Sequence, residues 1–350
     1  MEAAGRIPLR RPLAETLFDR GGPIVAGLIL AGALRLAGVY WDIAWHIDLT
    51  RDTFFSPPHL LIYSGVLLTL TIVGYPVVRA WLRGAPLTLP LGWRLLGLGA
   101  AVIILAAPFD ELWHRLYGID VTIWSPPHLT AILAGLLALL GLAIFTAEWA
   151  AARFASRPRW LDLLFAHYGG AALAGVTVVL AEYEFTATFG GTRVYAAAYH
   201  GFEPLLYPAL FGGLGMLTLV AVARLITFPG GATAAAVWFT ALRLLVWAEL
   251  SALGRTVPDL PLVVPAAAAL DAVLYFSGGR LFGALAGGAA GGAVLGYLVR
   301  PPFGDGTLTS SVMAAAAAGV FGALVGDGLG RYILGLMARP ASGRKGAEGA

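Results

Sequence analysis

The chain has 350 residues but no cysteine, only four methionines and few charged residues. Without cysteine it can form neither disulfides nor thiolate–metal bonds, so a metal ion would have to be bound by histidine, carboxylate, methionine or backbone oxygen. Charged residues make up 12% of the chain, whereas soluble proteins contain about 25%. Hydrophobic residues make up 59%. This composition excludes an ordinary soluble protein and indicates an integral membrane protein.

Long apolar segments predict an all-α fold, a polytopic membrane bundle of about ten transmembrane helices. Each span needs about 20 mostly apolar residues. The predicted spans cover residues 23–46, 57–82, 92–115, 126–152, 161–185, 202–226, 232–253, 261–276, 281–299 and 310–337. A polar, arginine-rich stretch precedes the first span, so we expect that span to remain as an anchor rather than to be removed as a signal peptide.

The distribution of lysine and arginine predicts the orientation of the chain. The side that holds the N-terminus, the loops at 82–92 and 153–160 and the C-terminal tail carries 16 of the 23 basic residues; five lie on the other side and two within spans. Because cytoplasmic loops carry an excess of positive charge, we expect a multi-pass protein of the inner (plasma) membrane with both termini cytoplasmic. The net charge of +3 reflects these anchors and gives no reason to propose nucleic-acid binding.

Four regions are predicted along the chain. Residues 1–22 form a cytoplasmic N-terminal segment, and residues 23–155 form two copies of one helical hairpin. Residues 156–338 form a C-terminal region of six membrane helices, rich in alanine and glycine, which allow helices to pack closely. Residues 339–350 are expected to form a disordered cytoplasmic tail.

One carboxylate and two imidazoles in residues 42–59 form a candidate metal site. The sequence reads Asp42-Ile-Ala-Trp-His46 and then, after a loop, Ser56-Pro-Pro-His59. Because Asp42 and His46 are four positions apart, they lie on one face of a helix. Serine is a favourable N-cap and proline is tolerated in the first turn, so the next helix begins here and the position of His59 is fixed.

The same pattern recurs in residues 110–128, as Asp110-Glu-Leu-Trp-His114 and then Ser125-Pro-Pro-His128. An isolated histidine at a helix end is usually only a polar group at the membrane interface. Here three ligand-type residues recur together, and two unpaired aspartates next to apolar spans would be costly without a cation. We therefore expect two metal sites at similar depth, facing the outside of the cell, and hypothesise that adjacent hairpins bring them together as a dinuclear centre.

Six further residues are candidates either for orienting these ligands or for binding an ion themselves: Asp52, Asp120, Glu182, Glu184, His200 and Glu203. The first two follow a helix-end histidine by six positions. A ligating imidazole usually donates its other N–H to a carboxylate or carbonyl, and loop capping is the alternative role. The other four are expected at the same membrane face, where they either extend the metal site or form an ordinary polar rim.

Residues 42–59 resemble the metal-binding motif in the C subunit of the copper membrane monooxygenases, the particulate methane and ammonia monooxygenases. That motif has a form close to D-x-x-W/Y-H-x-x-x-x-R-D-x-x-F-T-P-S-H. The matching residues are Asp42, His46, Arg51, Asp52, Phe55, Pro57 and His59. A second site of the same subunit is spaced Asn-x3-His-x13-His, which Asp110, His114 and His128 reproduce with aspartate in place of asparagine. The resemblance covers about residues 40–130.

The resemblance implies one or two copper ions, oxygen-dependent hydroxylation of a small lipid-accessible substrate, companion subunits, a homo-oligomer and an external electron donor. The residues alone leave other functions open. Two histidines and a carboxylate suit Zn²⁺, Cu²⁺ or Fe²⁺. A metal transporter or metal-handling membrane protein is one alternative, a zinc-dependent membrane hydrolase is another, and a metal that only joins helices is a third.

Overall fold

The computed structural model describes residues 12–49, 53–118, 122–189, 192–299 and 307–338. Within these ranges the chain forms twelve α-helices and one β-hairpin. Nine of the described helices are long and apolar enough to cross a membrane. The prediction of a polytopic membrane helix bundle is confirmed.

The first part of the bundle consists of two helical hairpins preceded by a short helix. Its helices are α1 (Leu13–Asp19), α2 (Gly21–Leu49), α3 (Pro57–Leu82), α4 (Leu91–Tyr117) and α5 (Pro126–Arg153). Helix α2 packs against α3 and α4 packs against α5, as the two repeated sequences predict. Both hairpins turn at the same end of the bundle, where α2 and α4 end and α3 and α5 begin; we call this the histidine end.

The second part contains the remaining helices and the only strands among the described residues. It begins with α6 (Trp160–Val179), a 3₁₀ turn (Ala181–Tyr183), β1 (Thr186–Phe189), β2 (Thr192–Tyr195) and α7 (Ala196–Tyr199). It continues with α8 (Leu206–Leu225), α9 (Gly231–Ala252), α10 (Val264–Phe276), α11 (Leu281–Leu298) and α12 (Leu308–Met337). The strands are antiparallel, with Thr186 opposite Tyr195 and Phe189 opposite Thr192.

Helix α10 is shorter than the span predicted for residues 261–276. Its 13 residues measure about 20 Å, less than the roughly 30 Å of a bilayer core. The preceding segment is not helical, because Pro258 and Pro261 lack backbone donors and favour extended neighbours. This segment lies beside the middle of α9, where Arg243 donates to the carbonyl oxygen of Asp259. An extended stretch and a short helix together therefore run alongside α9.

The predicted span 161–185 also differs from the structure, because α6 ends at Val179. The following turn and β-hairpin were not predicted. Short runs of threonine, phenylalanine, valine and tyrosine on either side of Gly190-Gly191 are a hairpin signal in the sequence. This signal was obscured because the surrounding residues are apolar enough to extend a membrane span.

Small residues bring α8, α11 and α12 into close contact. A Cβ atom added at Gly322 would lie 2.0 Å from the carbonyl oxygen of Gly213, and one added at Gly288 would lie 2.5 Å from that of Gly319. Neither backbone can approach so closely if a side chain intervenes. The alanine- and glycine-rich sequence of this region is thus used for helix packing.

Candidate metal centre

The first triad joins the two helices of the first hairpin. Asp42 and His46 occupy one face of the last turns of α2, and His59 lies in the first turn of α3. The Nε2 atom of His59 is 3.3 Å from Asp42 Oδ1, and the Nε2 atom of His46 is 3.8 Å from Asp42 Oδ2. The sequence spacing therefore brings all three side chains together.

The second triad has almost the same geometry in the second hairpin. Asp110 Oδ1 lies 3.2 Å from His128 Nε2 and 3.7 Å from His114 Nε2. In each triad, one potential ligand atom from each residue lies within 4.8 Å of the other two. Among the described residues, these are the two groups of three or more His, Asp or Glu side chains close enough to share an ion.

These distances fit a transition-metal ion. Metal–ligand bonds of about 2.0–2.2 Å place neighbouring ligand atoms of a tetrahedral site about 3.4 Å apart, close to the separations in both triads. Three of the atoms, Asp42 Oδ1, Asp110 Oδ1 and His114 Nε2, are buried and accept or donate no hydrogen bond within the described ranges. Buried polar atoms normally have a partner, and a cation would provide one for all three.

Backbone carbonyl groups orient one histidine in each triad. The Nδ1 atom of His59 lies 3.0 Å from the carbonyl oxygen of Thr53, and that of His128 lies 2.9 Å from the carbonyl oxygen of Thr122. A proton on Nδ1 that is donated to the carbonyl leaves Nε2 as the ligand atom. Sequence reasoning offered Asp52 and Asp120 for this role, with loop capping as the alternative, and both residues lie outside the described residues. Both hairpins share the pattern T-x-x-S-P-P-H, which places a threonine carbonyl six positions before the histidine. Sequence reasoning missed this signal.

Prolines rather than serine hydroxyls determine where α3 and α5 begin. Ser56 and Ser125 occupy the N-cap positions, as predicted, but neither side chain makes a capping hydrogen bond. Two prolines follow each serine, so the first two helical positions have no N–H, and of the two N–H groups that a capping hydroxyl usually binds only the one at the third position remains.

Glu182 supports the loop that carries the second triad. Its side chain is buried, with 4% of the residue exposed. Glu182 Oε1 accepts hydrogen bonds from Thr122 Oγ1 at 2.9 Å and from the backbone N–H of Ile123 at 2.7 Å. Glu182 Oε2 lies 3.0 Å from Nδ1 of His200. Glu182 thus fixes the residue whose carbonyl orients His128, and it links His200 to the same network.

Glu184 and Glu203 have other roles. Glu184 is fully buried and pairs with Arg243 at 2.8 Å, and it accepts a longer hydrogen bond from the Tyr207 hydroxyl. The backbone carbonyl of Glu203 accepts a hydrogen bond from Tyr183. Neither glutamate belongs to a triad.

Both triads line one cavity of about 470 Å³, enclosed mainly by α2, α3, α4 and α5. Glu182 and Phe185 form part of its wall, and most of the remaining wall is apolar. The ligand side chains keep between 10% and 22% of their surface exposed. An ion in either triad could therefore be reached from the cavity. Whether the two triads form one dinuclear centre stays a prediction.

Comparison with known proteins gives one partial match. The chain is 30% identical over 138 residues to an uncharacterized transporter of Corynebacterium diphtheriae, an alignment that covers 38% of this chain and 24% of that protein. The chain thus matches about a quarter of the length of this relative. No family model and no solved structure matches the chain.

This similarity contradicts the expectation of a copper membrane monooxygenase subunit, because the sequence relationship that is found is with a transporter. The physical reason for the wrong expectation is that a short ligand pattern reports local chemistry. Any helical hairpin that presents one aspartate and two histidines to an ion needs a similar spacing, whatever the protein does with the ion. The companion subunits and the electron donor rested on that resemblance alone.

Proposed function

We propose that this multi-pass membrane protein is a transporter whose cavity binds divalent transition-metal ions at two Asp-His-His triads. The observation that carries the proposal is the opening of both triads into one cavity inside the bundle. A metal that only joined helices would not need such a space. The similarity to part of an uncharacterized transporter supports the same function.

The ligand atoms limit the choice of ion. Imidazole and carboxylate suit Cu²⁺, Zn²⁺ and Fe²⁺, whereas Cu⁺ is held by thiolate and thioether ligands. The chain has no cysteine and four methionines, and none of the three that the structure describes lines the cavity. We therefore propose a divalent ion as the substrate, with Cu²⁺, Zn²⁺ and Fe²⁺ as the candidates.

The proposed direction of entry follows from the basic residues. Their excess lies on the side of the membrane opposite the histidine end, which favours a cytoplasmic position for that side and for both termini. The histidine end then faces outward from the plasma membrane. Ions would reach the triads from outside the cell.

Metal content and transport test this proposal together. Full-length protein should bind up to two ions per chain by mass spectrometry of the metals, and His59→Ala and His128→Ala should each remove about one. Glu203→Gln, which changes a carboxylate at the same end but in neither triad, should bind as wild type does. In proteoliposomes, uptake of the bound metal should be lost in both histidine variants.

Two results would contradict the proposal. Wild-type protein that binds none of the three metals would exclude the metal sites. Protein that binds metal without moving it across the bilayer would retain the sites but exclude transport, and turnover of an ester or amide by the zinc form would then favour a hydrolase.

A further inference from the structure

A second cavity, of about 200 Å³, lies inside the bundle and contains no ligand of either triad. Residues of six helices line it: α2, α3, α4, α5, α6 and α9. Its wall is almost entirely aliphatic. The polar side chains in the wall are Arg35, Thr69, His167 and Tyr168. No aspartate or glutamate is among the described residues of the wall, so this cavity has a positive charge and no negative one.

Arg35 has no partner within the described part of the chain. It makes no hydrogen bond or ion pair there, and its Nε atom is buried without an acceptor. Charged residues inside a membrane bundle usually pair with one another. Asp327 does so with Arg224 and Arg331, whereas Arg35 has no counter-charge among the described residues.

The stem of Arg35 is accommodated by a neighbouring helix. A Cβ atom added at Gly65 of α3 would lie 2.7 Å from Arg35 Cγ, so the glycine makes room for the side chain. Two other polar groups of the cavity are already satisfied: Thr69 donates to the carbonyl of Gly65, and the hydroxyl of Tyr168 lies 3.0 Å from that of Thr146. They do not neutralise the guanidinium group.

Arg35 lies at the middle of its helix. It lies fourteen positions from each end of α2, which corresponds to about 21 Å in each direction. An arginine at this depth is unfavourable unless it is paired or serves a function. By comparison, Arg243, an arginine within α9, is paired with Glu184.

The two cavities adjoin each other. Five residues belong to both walls: Val39, Ile62, Ile103, Ala131 and Ile132. On α2, Arg35 precedes Asp42 by seven positions and His46 by eleven, so all three share one helix face. A solute that passes the triads at the histidine end would therefore meet Arg35 next, deeper in the bundle.

We propose that the cavity around Arg35 binds an organic anion with a carboxylate group and a short apolar body. A guanidinium group matches a carboxylate through two parallel hydrogen bonds, and the aliphatic wall suits the apolar body. Binding at this site requires no metal. That such a carboxylate is transported, alone or together with the metal ion, rests on the transport function proposed above.

Hexanoate is a suitable probe, with the neutral hexanamide as its matched control. Full-length protein in detergent, treated with chelator, should bind hexanoate saturably by calorimetry and bind hexanamide at least tenfold more weakly. Arg35→Gln should weaken hexanoate binding at least tenfold, and Arg35→Lys, which keeps the charge, should weaken it less. Arg79→Gln should have no effect, because Arg79 is exposed on α3 and contacts Tyr75 outside the cavity.

Thermal unfolding separates this role from a structural one. Removing an unpaired buried charge should leave the melting temperature of Arg35→Gln unchanged or higher, and hexanoate should stabilise wild type but not this variant. Three results would overturn the proposal: no hexanoate binding by wild type, equal binding of hexanoate and hexanamide, or unchanged hexanoate binding by folded Arg35→Gln. The carboxylate site and the metal sites can be disproved separately, because Arg35→Gln should retain the metal content of wild type.

Discussion

At the scale of single residues, the network behind the second triad determines how well His128 is positioned. Thr122 provides the carbonyl that faces His128 Nδ1 and the hydroxyl that donates to Glu182. Glu182 in turn accepts from Ile123 and faces His200. In the first hairpin the corresponding carbonyl belongs to Thr53. Among the described residues, the hydrogen bonds of Glu182 thus reach the loop of the second triad and not that of the first.

We predict that Glu182→Ala weakens metal binding at the second triad by about 10- to 100-fold, the usual effect of losing a group that orients a ligand. Glu182→Gln should weaken it less, because the amide oxygen still accepts from the loop. The measurement is a metal titration of each variant in a His59→Ala background, which leaves only the second triad. The same substitution in a His128→Ala background should leave the first triad unchanged, and equal losses at both triads would contradict the assignment.

Sequence reasoning found all six triad residues because their side chains carry the signal. Asp42 and His46 are one helical turn apart, and the proline pair places His59 at a helix start, so local rules suffice. The carbonyl of Thr53 could not be recognised in this way, since every residue has a carbonyl group. The pairing of Glu182 with Thr122 depends on how α6 packs beside the second hairpin, which local patterns do not determine.

At the scale of elements, close packing of glycine-rich helices holds the C-terminal region together. Helix α12 packs along α8 with Gly322 against Gly213 and Gly326 against the carbonyl of Leu217. Both contacts are between backbones. The length of the apolar segments predicted where these helices lie but not which glycines face a partner, because glycine lines the contact faces and also occurs at open positions such as Gly328.

We predict that Gly322→Ala destabilises the protein and that Gly328→Ala does not. The added methyl group at residue 322 would collide with the carbonyl of Gly213, whereas nothing lies within 4 Å of the corresponding position at residue 328. Alanine is favoured over glycine inside a helix by up to about 1 kcal/mol, so the second variant should melt at the same or a higher temperature. Thermal unfolding in detergent measures both variants. Equal melting temperatures for Gly322→Ala and Gly328→Ala would show that α8 and α12 can move apart without loss of stability.

At the scale of the whole molecule, Arg243 connects parts that are distant in the chain. From α9 it pairs with Glu184, donates to the carbonyl of Asp259 and lies 4.7 Å from the ring centre of Tyr40 on α2. The backbone N–H of Asp259 also donates to the carbonyl of Glu184. The non-helical segments after α6 and before α10 thus provide hydrogen-bond partners for each other's polar groups inside the bundle.

Arg243, Glu249 and Asp271 are charged and lie within predicted spans, but they do not pair with one another. Asp271 accepts hydrogen bonds from the backbone N–H groups of Ala232 and Thr233 at the start of α9. The carboxylate that pairs with Arg243 belongs to Glu184, which lies 59 residues earlier in the chain. Charge alone predicts that buried ions need partners, but only the packing of all helices decides which partner is within reach.

The pairing at Arg243 makes a prediction about pairs of substitutions. Arg243→Met leaves the Glu184 carboxylate buried without its cation, and removing one member of such a pair usually costs about 3–5 kcal/mol. Replacing both, as Arg243→Met with Glu184→Gln, removes the uncompensated charge, so the double variant should recover much of the stability lost in Arg243→Met. Melting temperatures of the wild type, the two single variants and the double variant form a complete thermodynamic cycle. If the two single effects merely add, Arg243 does not act through Glu184, and its contacts with Asp259 and Tyr40 must account for its burial.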